Sequence, residues 1–101
     1  MKADYDSEAD AILIELEEVD RWDDDVRIDE AMFCGVAFRH KRPVGISLRY
    51  PREELRLLEV AARRFDLDAT ALLATTQAAL AAPDRPVTVE VGSRLTAAKT
   101  A

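Results

Sequence analysis

Apolar and polar positions alternate through most of the first fifty residues. Ile12, Ile14 and Leu16 share one parity, while Glu15 and Glu17 take the other. That pattern predicts a strand with one face in a core and one in water. Val26 and Ile28 alternate with Arg27 and Asp29 in a short second strand. From Met32 to His40 both parities are apolar: Met32, Cys34, Val36 and Phe38 on one, Phe33, Gly35 and Ala37 on the other. This third strand is therefore expected inside the sheet. Val44, Ile46, Leu48 and Tyr50 alternate with Gly45, Ser47 and Arg49 in a fourth. His40-Lys41-Arg42-Pro43 is a polar turn joining strands three and four as a hairpin, with Pro43 expected to end the ladder. Residues 1–10 read as a polar lead-in, and 18–25 as an acidic loop.

At Pro51 the period changes. Proline fits the first helical position, and Glu53 and Glu54 suit the first turn. Leu55, Leu58, Ala62 and Phe65 recur at helical spacing, and Arg63 and Arg64 fall in the last turn. Asp66-Leu67-Asp68 breaks this helix, with Asp68 as N-cap of the next over residues 69–82. Leu72, Leu73, Thr76, Ala79 and Leu80 form the core stripe of this second helix. Pro83-Asp84-Arg85-Pro86 is a turn, and Val87, Val89 and Val91 alternate in a last strand. The order β-β-β-β-α-α-β predicts an α+β fold: an antiparallel sheet of about five strands with two helices packed on one face. Residues 1–91 form a single domain, the last strand returns to pair with the first, and 92–101 form a flexible tail.

Length and composition sharpen this picture. A chain of 101 residues, 49% hydrophobic, supports one core and not two. No charge-free run is long enough to span a bilayer, and the start is not a signal peptide. The single cysteine precludes an internal disulfide framework and fits a reducing cytoplasm. The single histidine precludes a His-rich metal site. Net charge is −6, unevenly spread. Residues 1–30 carry 13 acids and 3 bases, whereas 31–50 carry Arg39, Lys41, Arg42 and Arg49 with no acid. An acidic face of this kind steers a basic partner and lacks the broad basic footprint of unspecific nucleic-acid binding.

Tyr5-Asp6-Ser7-Glu8-Ala9-Asp10-Ala11, followed by the apolar strand, resembles the opening Tyr-Asp-x-Glu-Ala-Asp-Ala of domain-of-unknown-function family 2283. Val44-Gly45-Ile46 resembles that family's later Val-Gly-Ile-like strand. The resemblance covers about residues 1–50 and implies a small bacterial domain. The turn His40-Lys41-Arg42-Pro43 and the two-helix extension depart from the family pattern. Its activity is unassigned, so the resemblance implies no catalytic residue.

Candidate chemistry is sparse. Asp4, Asp6, Glu8 and Glu15 have the spacing of calcium-loop ligands, but Ala9 stands where the loop needs glycine. These acids are expected instead to form the turn that launches the strand. Cys34 and His40, six residues apart on one strand, are too distant for a dyad or shared metal; Cys34 is expected in the core. Asp23, Asp24 and Asp25 are expected to stay solvated. No phosphate loop, nucleophile elbow or zinc-protease motif occurs. The chain thus reads as a cytoplasmic, non-catalytic interaction module without cofactor or metal. Residues 70–81 offer an uncharged outer helix face of Thr70, Ala74, Gln77, Ala78 and Ala81, expected to be covered by a second copy in a homodimer. Trp22, Asp23, Asp24 and Asp25 are a second candidate surface, for a basic protein. Two alternatives accompany this reading: an acidic antitoxin or immunity-type inhibitor using residues 15–30, and a helix-turn-helix regulator using residues 58–75. The latter would read DNA with Thr70, Thr75, Thr76 and Gln77 and has no basic side chain on its second helix.

Overall fold

A computed structural model of the chain describes residues 1–90. Its elements are β1 (Lys2–Asp6), β2 (Ala11–Glu15), β3 (Asp24–Arg27), β4 (Cys34–Arg39), β5 (Arg42–Arg49), α1 (Arg56–Phe65), α2 (Ala69–Ala81) and β6 (Pro86–Thr88). The strands form one antiparallel sheet in the order β3-β4-β5-β2-β1-β6. This is the expected α+β class, with six strands.

The extra strand is β1. Its alternation is plain once placed: Ala3 and Tyr5 are buried while Lys2, Asp4 and Asp6 are exposed. Two core residues set among charged side chains give the segment the pattern of a polar lead-in. It pairs with β2 from Lys2↔Glu15 to Asp6↔Ala11. The last strand consequently returns to β1, not to β2 as expected, through Lys2↔Thr88, Ala3↔Val87 and Asp4↔Pro86. The Met1 amino group donates to the Val89 carbonyl at 3.0 Å, extending that pairing. Val91 and the tail 92–101 lie outside the described residues.

Four boundaries also move. β3 begins at Asp24, two residues before the expected Val26. β4 begins at Cys34, because Met32 sits at φ 64 in a preceding turn. Pro43 does not end the ladder: Phe38↔Pro43 and Arg39↔Arg42 still pair, and a register shift at Ala37/Phe38 absorbs the irregularity. Only His40 and Lys41 form the turn, both with positive φ, as a two-residue hairpin of this hand requires. Pro51 opens a turn rather than α1. The Glu53 and Glu54 amides donate to the Tyr50 carbonyl, and α1 starts at Arg56.

Both helices cover one face of the sheet. Ala3, Tyr5, Ile12, Ile14, Cys34, Val36, Ile46 and Leu48 face Leu57, Leu58, Ala61, Ala62, Leu72 and Ala79 in one continuous core. Phe38 and Phe65 close its far end edge-to-face, 5.1 Å between centroids. Asp66 ends α1 in the left-handed region, and the Asp68 carboxylate accepts from the Ala71 amide at 3.0 Å, capping α2 as expected. On α2, Leu72, Thr76 and Ala79 are buried as expected. Leu73 and Leu80 are only half-buried, and Ala71 and Thr75 complete the buried stripe. Each sheet edge is short: β3 exposes Asp24, Asp25 and Arg27, and β6 exposes Pro86 and Thr88.

Candidate functional site on the open face of the sheet

The opening acids build turns. Asp6 accepts from the amides of Glu8 and Ala9, 3.0 and 3.2 Å away. The Tyr5 hydroxyl donates to Asp10 at 2.7 Å, and Arg52 donates to the same hydroxyl at 3.3 Å. The hydrogen bond to Asp10, then burial, raise the Tyr5 hydroxyl above its ordinary value. Asp84 accepts from the Ser7 amide at 2.8 Å and its hydroxyl at 2.7 Å, tying the β1–β2 turn to the α2–β6 turn. Those bonds, the amide first, hold the Asp84 carboxyl below its ordinary range. The motif Tyr5–Asp10 is therefore hairpin architecture.

The three acids 23–25 do not form one cluster. Asp23 accepts from the His40 amide at 2.7 Å and from Arg39 at 2.6 Å, which depress its carboxyl in that order. It clamps the β4–β5 turn. Asp24 accepts from the Asp25 amide at 2.8 Å. Asp25 lies on the opposite side of the strand, so close to Gly35 that a Cβ there would meet its Oδ1 at 3.2 Å. Strand alternation thus separates Asp24 from Asp25. Among the described residues no group of three potential ligands is placed to hold a metal ion. A pocket of about 510 Å³ beside them is lined by Asp23, Asp24, Val26, Phe38, His40 and Lys41. Its charges are of mixed sign, and Asp23 is already engaged.

Cys34 is buried where expected. Burial first, then nearby Asp29, push its thiol up to about 12. On α2, Thr70, Ala74, Gln77 and Ala81 are exposed and Ala78 is half-buried. Nothing on that strip is larger than an alanine in apolar terms, so it has little apolar area to bury. Thr75 and Thr76, two of the four polar groups a DNA-reading helix would offer, are buried. No helix among the described residues is long and apolar enough to cross a membrane.

No helix covers the other side of the sheet, but its middle is screened by side chains: Ala37 is 4% exposed and Gly45 is buried, with Trp22 lying over Gly45. The pairing registers fix its rows. One row runs Arg27–Gly35–Ser47–Leu13–Asp4 from β3 to β1. The next runs Asp25–Ala37–Gly45–Glu15–Lys2. On β4 and β5 the side chains of both rows are small: Gly35 and Ser47 in one, Ala37 and Gly45 in the other. Trp22, 49% exposed, lies across Gly45, where a Cβ would meet its Cζ2 at 3.6 Å. Leu13 stands 37% exposed beside this shallow floor. Of the residues singled out in sequence, this face holds Trp22 and Asp25. The missed residues, Leu13, Gly35, Ala37 and Gly45, had a signal: Leu13 is apolar on the parity assigned to water, Gly35 and Ala37 lie on the second apolar parity of their strand, and Gly45 is tiny on the parity it shares with Ser47 and Arg49. The chain matches no family model, no curated protein and no solved structure.

Proposed function

We propose that this chain is a non-catalytic protein-interaction module that self-associates and binds through the open face of its sheet. The observation that carries the reading is the pair of large apolar side chains Leu13 and Trp22, both exposed on the sheet face that no helix covers. The outer face of an antiparallel sheet ordinarily alternates to polar side chains long enough to solvate it. Here Gly35, Ala37, Gly45 and Ser47 interrupt that pattern beside Glu15 and Arg49, and an exposed Trp is a residue type that anchors interfaces. Bacterial origin and kinship with domain-of-unknown-function family 2283 belong to the same proposal, supported by Tyr5–Ala11. The hydrogen bonds of Tyr5, Asp6, Ser7 and Asp10 explain that motif as a turn and leave the binding surface elsewhere.

The test compares three baits in the native host's extract: wild type, Leu13→Asp and Ala74→Glu. Both substitutions are exposed and are expected to leave the fold intact by circular dichroism. Proteins captured by wild type, further copies of itself included, are expected to be lost with Leu13→Asp and kept with Ala74→Glu. Capture unchanged by Leu13→Asp but lost with Ala74→Glu moves the surface to α2 and refutes the reading.

A further inference from the structure

The geometry points to a second copy of this chain as the occupant of the open face, docked about a twofold axis running along β5; this rests on the reading of that face as the binding surface. Two sheets packed face to face align their strands to within about 30°. Rotation about β5 keeps each row facing itself and exchanges the strands on either side. β3 of one copy then lies over β1 of the other, and β4 over β2, because the order is β3-β4-β5-β2-β1. The rows are complementary under that exchange. Arg27 meets Asp4 and Asp25 meets Lys2, while Leu13 comes over Gly35 beside the Asp25 carboxylate. Two kinds of oppositely charged pair arise, each occurring twice in the dimer, which is the self-complementarity that a twofold interface demands. Arg27, Asp4, Asp25 and Lys2 are all exposed, and none makes an ion pair among the described residues.

Arg27 and Asp4 lie four strand spacings apart in one chain, about 19 Å, too far to pair internally. Charge exchange therefore reports only on contacts between copies. Sedimentation velocity is run on wild type, Arg27→Asp, Asp4→Arg, the double variant and an equimolar mixture of the two single variants. Wild type is expected to dimerise, and each single variant to dimerise at least about tenfold more weakly, since like charges then face each other twice. The double variant is expected to recover wild-type association, and the mixture to form a dimer neither component forms alone. The folded state of each is checked by circular dichroism, and the double variant and the mixture supply the test if one single variant does not fold. A wild type that stays monomeric to millimolar concentration overturns the inference. So does a dimer that the single variants leave unchanged, or one that neither the double variant nor the mixture restores. A monomeric wild type whose captured proteins still disappear with Leu13→Asp removes the second copy and leaves the sheet-face reading standing.

Discussion

Thr76→Val is expected to stabilise this protein. Thr76 is fully buried on α2, and its hydroxyl has no hydrogen-bond partner among the described residues. A buried hydroxyl without a partner costs roughly 1–3 kcal/mol relative to its hydrated state. Valine keeps the branched shape and replaces the hydroxyl by a methyl group that gains from burial. A gain of about 1 kcal/mol follows after allowance for imperfect fit, which in a domain of this size raises Tm by roughly 4–8 °C. Its neighbour supplies the control. Thr75 is equally buried, but its hydroxyl donates to the Ala71 carbonyl at 2.8 Å and lies 3.3 Å from the Met1 sulfur. Thr75→Val gives up a satisfied hydrogen bond, about 1 kcal/mol, and regains about as much from apolar burial, so a change near zero is expected. Urea unfolding of both variants with unchanged m-values separates them. If Thr76→Val unfolds at lower urea than wild type, or the two variants shift alike, the hydroxyl is satisfied and the reasoning fails.

Two more expectations concern Cys34 and the β4–β5 turn. At pH 8 Cys34 is expected to react with a thiol reagent at least about a hundredfold more slowly in the folded state than in urea, because burial disfavours its thiolate. Its pKa rises from 9.0 to about 12 on folding, so between those values the native state keeps a proton that the unfolded chain releases. Its contribution to stability is thus complete below pH 9 and lost as pH rises toward 12; Cys34→Ala is expected to flatten that decline in thermal melts. Lys41→Gly is expected to stabilise by about 1 kcal/mol in urea titrations, since Lys41 holds φ 65 in the turn, where a side chain is unfavourable. An unchanged or lower midpoint would mean that the turn relaxes elsewhere.

Strands β2, β4 and β5 and both helices were legible because their burial is periodic over many residues. Strand β1 was not: Ala3 and Tyr5 are its only buried side chains, and Lys2, Asp4 and Asp6 around them hide the alternation. Turn positions were obscure for a related reason. Seven described residues take positive φ, and every one is a non-glycine: Asp10, Met32, His40, Lys41, Tyr50, Asp66 and Asp84. The usual glycine punctuation is missing, while Gly35 and Gly45 stand inside strands. The early start of α1 had a local motive, since Pro51 does suit a first helical turn. There the Tyr50 carbonyl receives two amides in a tight turn that delays the helix to Arg56. The open face escaped the reading because it needs register. Arg27, Leu13 and Asp4 come from three distant segments, and only the sheet order sets them in one row.

The short, charged or proline-bearing margins of the sheet bear on how the protein behaves at high concentration. A strand edge with free amides and carbonyls recruits further strands, and repetition of that step grows a filament. β3 meets an incoming strand with Asp24 and Asp25, and among the described residues β6 is a three-residue strand that begins at Pro86, which has no amide hydrogen to donate. Both routes to open-ended growth are blunted among the described residues, so the aggregation hazard common to exposed six-stranded sheets is low.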